Sequence, residues 1–154
     1  MIIYRKGDAT DPVGSGQTYI VHICNDSGGW GRGFVLAVSN RWTEPEKAYR
    51  KWHGEQHSHS CGFKLGNIQL IKVSQDITVI NMIAQEGYGS GGRPPVRYEA
   101  LEQCLEKVSV SAKVHEASVH GPRFGTGLAG GNWTQIEPII ERTMKELSVT
   151  IYDL

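Results

Sequence analysis

The chain has 154 residues and carries 16 Lys and Arg against 16 Asp and Glu, for no net charge. That length fits one domain, residues 1–154, with a core of its own, and the balance excludes a general electrostatic attraction to nucleic acid. No apolar run approaches the roughly eighteen residues that would cross a bilayer, and no secretory leader precedes the first strand, so a cytoplasmic protein without membrane contact is expected. Cys24, Cys61 and Cys104 lack Cys-x-x-Cys spacing, so neither a disulfide framework, a metal site nor a cofactor is expected.

Ile2-Ile3-Tyr4 predicts a short strand, ended by Lys6-Gly7-Asp8, with a polar loop over 10–17. Residues 19–24 form a nearly continuous apolar, β-rich run, which predicts a buried strand. A glycine-rich loop follows from Asn25 to Val35, and Phe34, Val35, Val38 and Trp42 then recur at helical spacing. Thr43-Glu44-Pro45-Glu46 has the form of a capping box opening a second helix through Trp52. His57 and His59 fall in a polar tract with no matching ligand pair elsewhere, which predicts an exposed loop rather than a metal site. Residues 67–73 and 77–83 predict two strands joined by a Ser74-Gln75-Asp76 turn. A flexible loop over 87–95 then leads to a helix over 97–113, with Ala100, Leu101, Cys104, Leu105 and Val108 on one stripe.

Residues 117–120 predict another buried strand, which runs toward the second glycine-rich loop, Gly125 to Gly131. Thr134-Gln135-Ile136-Glu137 predicts the cap of a last helix through Leu147, with Pro138 in its first turn. Residues 149–152 close the chain as a strand. Strands alternate with helices around one inserted hairpin, which implies an α/β fold whose mixed sheet is covered on both faces. Neither glycine loop is a Walker or Rossmann fingerprint. Both follow apolar strands, however, and glycine lets backbone approach a ligand closely while a helix start beyond it offers unpaired N–H groups. Two such loops suggest a diphosphate held between Gly33-Phe34-Val35 and Gly125-Thr126-Gly127-Leu128.

Four stretches, taken together and in this order, resemble a macrodomain: Lys6-Gly7-Asp8-Ala9, the Asn25–Val35 loop, Pro122-Arg123-Phe124-Gly125-Thr126-Gly127-Leu128, and the terminal Ile151-Tyr152-Asp153-Leu154. The resemblance covers nearly the whole chain and is strongest to the branch of terminal ADP-ribose protein glycohydrolase and its bacterial relatives. Residues 22–31 are also similar to fungal ADP-ribose 1″-phosphate phosphatases. It implies a three-layer α/β/α fold with a central mixed sheet, and a monomer whose partners are ADP-ribose and ADP-ribosylated proteins, with nucleic-acid-linked ADP-ribose as an alternative near Arg93 and Arg97. It further implies that Asp8 and the Ala9 N–H meet adenine, that Tyr152 stacks on it, and that Asn25 faces the distal ribose. Without the resemblance, the alternatives are a loop or cap aspartate for Asp8, a turn residue for Asn25 and a strand aromatic for Tyr152.

In the glycohydrolase branch a lysine attacks the anomeric carbon and an aspartate assists; those positions hold Gln85 and Ala129 here, and neither can take the same part. A milder route would hydrolyse the ester between ADP-ribose and a Glu or Asp side chain. Gln85 would orient water, Asn25 would fix the ribose, and Asp26 would serve either as base or as a cap on the glycine turn. His22 is an acid–base candidate or a core histidine. The leading expectation is an ADP-ribosyl hydrolase, with a noncatalytic ADP-ribose reader and a 1″-phosphatase as alternatives.

Overall fold

The computed structural model describes residues 1–58, 60–87, 94–127 and 129–154. His59, Arg93 and Leu128, and with Arg93 most of the 87–95 loop, lie outside the described residues. In chain order the elements are β1 (Ile2–Lys6), β2 (Thr18–Asn25), α1 (Phe34–Arg41), α2 (Glu44–Gly54), β3 (Ile68–Lys72), β4 (Ile77–Gln85), α3 (Tyr98–His115), β5 (Ser118–Pro122), α4 (Trp133–Thr143) and β6 (Val149–Asp153). Six strands form one sheet in the order β1-β6-β5-β2-β4-β3. Every pairing is parallel except β3 with β4, the hairpin. This is the mixed, doubly covered α/β sheet that the sequence implies.

Alternation along the central strands sorts the core into two layers. Val21, Ile80 and Met82 pack with Leu101, Leu105 and Val108 of α3 and Ile136 and Ile140 of α4. Ile20, Cys24, Val79 and Ile83 face the other way, against Val35 and Val38 of α1 and Tyr49 of α2. β2 and β4 are therefore buried on both faces, which is why they read as continuous apolar runs. Among the described residues no helix is long and apolar enough to cross a membrane.

Two helix starts differ from expectation. α4 is capped by Asn132, whose side chain accepts from the Thr134 N–H at 2.9 Å, so Thr134 lies inside the helix and Pro138 beyond its first turn. The helix ends at Thr143, with Met144 as C-cap, short of Leu147. At α2, Thr43 already has helical dihedrals and makes no side-chain cap, so Glu44 and Glu46 face the helix dipole without the reciprocal bonds of a capping box.

A chain of hydrogen bonds ties the 7–17 loop across the ends of β5 and β6. The Val13 N–H donates to the Tyr152 hydroxyl at 3.0 Å, which directs the phenol proton to His120 Nδ1 at 2.7 Å. His120 Nε2 then carries the proton toward Ser118 Oγ at 2.8 Å. Burial holds the pKa of His120, and of the fully buried His22, down at about 4 from 6.5. The unfolded chain therefore binds more protons between these values, so this stability is complete above about pH 6.5 and is lost as pH falls toward 4. The melting temperature of the wild type should fall across that window, and His120→Gln should flatten the fall; an unchanged slope would contradict the buried neutral ring.

Candidate functional site

The five parallel strands point the same way, so the loops after β1, β2, β4 and β5 gather at one edge together with the end of β6. From β2 the chain turns to α1 and α2 on one face; from β5 it turns to α4 on the other. Adjacent strands whose connections diverge leave a crevice at their carboxyl ends. A cleft of about 730 Å³ lies there.

One wall is the β2–α1 loop, folded around Asn25. Asn25 Oδ1 accepts the N–H groups of Ser27 (2.9 Å) and Gly29 (3.1 Å), and its Nδ2 donates to the Gly29 carbonyl at 3.0 Å. Tyr49, fully buried in α2, donates to the Asn25 carbonyl at 2.6 Å and accepts the Gly28 N–H at 3.1 Å. Gly28 has φ +83°, and a Cβ there would stand 2.5 Å from the His53 ring. The loop ends at Gly33, the N-cap of α1, also in the left-handed region. α1 has no side-chain cap and no acidic residue in its first turn. α2 and α3 carry acids in theirs, and α4 has Asn132. The Leu36 N–H donates to the Gly33 carbonyl at 3.1 Å, so of the first turn it is Phe34 and Val35, both in the cleft walls, whose N–H groups have no hydrogen bond among the described residues, at the positive end of the helix dipole.

The facing wall is the β5–α4 loop. The Gly131 N–H donates to the Gly125 carbonyl at 2.7 Å, and Thr126 Oγ1 donates to the Arg123 carbonyl at 2.7 Å. A Cβ on Gly131 would meet that Gly125 oxygen at 2.5 Å, so the closure requires glycine. Among the described residues the walls include the cations Arg32 and Arg123 but no Lys, Asp or Glu.

Of the residues singled out in the sequence, Asn25, Gly33, Phe34, Val35, Gln85, Gly125, Thr126 and Gly127 line this cleft, as does Ala129. Leu128 lies outside the described residues. Asp26 is not in the walls: its Oδ1 accepts the Gly87 N–H at 2.9 Å, and its own N–H donates to the Gln85 carbonyl at 2.9 Å. These bonds brace the start of the β2–α1 loop against the end of β4. Gln85 donates through Nε2 to the Gly87 carbonyl at 2.9 Å and is itself one of the lining residues. Tyr152 is 4% exposed, and its hydroxyl is hydrogen-bonded to the Val13 N–H and to His120 Nδ1. Asp8 and Ala9 also lie beyond the cleft walls. The Gly7 N–H donates to the Asp153 carbonyl at 2.8 Å, which places them just past the β1 end.

The sequence reading missed the Arg123–Asp153 pair, joined at 2.7 and 3.1 Å across thirty positions of chain. The Arg123 guanidinium also lies 4.9 Å from the Tyr4 ring centroid and 5.3 Å from that of Trp133. Its only sequence signal is the Pro-Arg ahead of the second glycine loop. His22 contributes to the cleft lining as well as to the core. Asn81 Nδ2 donates to the Pro45 carbonyl (3.2 Å) and to Gln69 Oε1 (3.0 Å), so it is Asn81 Oδ1 that faces His22 Nε2 at 2.6 Å. The proton therefore sits on Nε2, and the buried Nδ1 has no hydrogen-bond partner among the described residues. Burial pushes the Cys24 thiol well above its ordinary range, so Cys24 lines the cleft as a neutral thiol.

No family model matches the chain. Two solved structures resemble it over their whole lengths. A Bacteroides thetaiotaomicron protein is 51% identical, with a TM-score of 0.93 and full coverage of both chains. A macrodomain protein from Streptomyces coelicolor is 47% identical, with a TM-score of 0.87, covering 100% of this chain and 99% of that one. The chain belongs to the macrodomain family. The mouse chromodomain-helicase-DNA-binding protein 1-like is 32% identical over 157 residues, covering 98% of this chain. This chain spans only 17% of that relative's length. A structure of Thermosipho africanus DarTG in complex with ADP-ribose shares the fold, at 17% identity and a TM-score of 0.70, over 88% of this chain and 38% of that one.

Removing the Tyr49 hydroxyl leaves buried groups of the first loop without their partner. Tyr49→Phe should cost about 1–3 kcal/mol, read by urea denaturation; a loss below about 0.5 kcal/mol would show that the loop does not depend on it.

Proposed function

We propose that this macrodomain binds ADP-ribose, with the diphosphate between the α1 N-terminus and the Gly125–Gly127 backbone. The observation that carries the reading is the uncapped, acid-free start of α1, set across the cleft from a second glycine-built wall. Backbone N–H groups suit a diphosphate because they are fixed before it arrives and need no counter-charge. In this reading the base sits over β6 and β1, by Asp8 and the Ala9 N–H, and the distal ribose over β2 and β4, by Asn25 and Gln85, a direction that the strand order supports. The Thermosipho complex supports this choice of ligand for the fold.

Recognition is the reading the side chains favour. Asn25 and Asp26 are committed to the loop itself, and the described walls supply no lysine or carboxylate as nucleophile or base. Hydrolysis of ADP-ribose from Glu or Asp side chains is a second reading, supported by Gln85 at the ribose end, where its amide would hold a water beside the ester.

Calorimetry should show binding of ADP-ribose, weaker binding of ADP, and a loss of roughly tenfold or more in Asp8→Ala; no binding of ADP-ribose by the wild type would contradict the proposal. Incubation with a glutamate-linked mono-ADP-ribosylated protein separates the two readings. Release that is lost in Gln85→Ala supports the hydrolase, and retention of the modification by protein that binds ADP-ribose supports the reader.

A further inference from the structure

Asp8 is exposed, yet its carboxylate is not free to turn. Oδ1 accepts both the Thr10 N–H and the Thr10 hydroxyl, each at 2.8 Å. Thr10 is itself 2% exposed, and its Oγ1 lies 3.0 Å from Nε of Arg41. An arginine Nε–H only donates, so Thr10 Oγ1 must accept from it and send its own proton to Asp8. The polarity of the chain Arg41 to Thr10 to Asp8 is therefore set. Both bonds fall on one oxygen, and Oδ2 has no hydrogen bond among the described residues.

Arg41 is the last residue of α1, the helix whose first turn faces the cleft. Eight residues of helix span ~12 Å. One helix thus borders the cleft at one end and reaches the Asp8 carboxylate through Thr10 at the other.

We propose that Thr10 and Arg41 are positioning residues that aim Asp8 Oδ2 at the exocyclic amine of the purine, and so set the preference of the site for an aminopurine over its keto counterpart. The inference rests on the ADP-ribose reading above. A carboxylate has no proton to give a keto oxygen, so discrimination depends on how firmly its lone pairs are held at the base edge. A carboxylate released from Thr10 can turn away or recruit water, and the penalty on the keto ligand falls.

The test is calorimetry on the full chain with ADP-ribose and its inosine counterpart, hypoxanthine diphosphate ribose. The wild type should prefer ADP-ribose by roughly tenfold or more. Thr10→Val should lose most of that preference, chiefly through weaker binding of ADP-ribose, while Thr10→Ser, which keeps both bonds, should retain it. Arg41→Leu, a change at the helix surface, should shift the ratio in the same direction and keeps the test open if Thr10→Val fails to fold. Equal weakening of both ligands in these variants, or an unchanged ratio, would reduce the pair to structural supports and overturn the inference. A wild type that binds both ligands equally would also overturn it. A wild type that binds neither would overturn the ADP-ribose reading itself, and this inference with it.

Discussion

The divergence of the chain at β2 and β5 is the constraint on which the rest of the site depends. These neighbouring strands send their connections to opposite faces of the sheet, so a crevice opens beyond their ends. Each connection then has to turn sharply, and the glycines that permit the turns also strip side chains from the crevice walls. A helix begins immediately beyond the first turn without an acid or a side-chain cap, and its positive end adds to the charge of Arg32 and Arg123 on the walls.

Side chains that would seem to belong to the chemistry instead hold this backbone in place. Asn25 folds the first loop over itself, Tyr49 pins it from beneath, and Asp26 fastens it to the start of the neighbouring β4 loop. Thr126 and Gly131 close the second wall in the same manner. A preorganised site of this kind suits recognition, since the donors are in place before any ligand arrives. Gln85 is the exception, with a polar group of its own on the cleft.

Much of this was legible in the sequence because it depends on local pattern. The apolar run of residues 19–24 declares a strand buried on both faces, and glycines directly after it declare a turn that could cradle an anion. What escaped depends on distant partners. Tyr152 reads in the sequence as a strand aromatic, and its tie to Val13 of the 7–17 loop is visible only in the fold. Asp26 has the chemistry of a base, and only the return of β4 to Gly87 shows where its carboxylate is spent. Arg123 and Asp153 meet because β5 and β6 end side by side. The start of α4 failed differently: Thr134-Gln135-Ile136-Glu137 imitates a capping box, but Asn132 reaches the Thr134 N–H first.

The central claim is that the diphosphate is held by backbone N–H groups of both walls. Amide proton and nitrogen shifts of the full chain, followed through a titration with ADP-ribose, test it most directly. The account predicts large downfield proton shifts at Gly33, Phe34 and Val35 together with Thr126 and Gly127. Shifts confined to one wall, or to side chains away from the β2–β5 crevice, would contradict it.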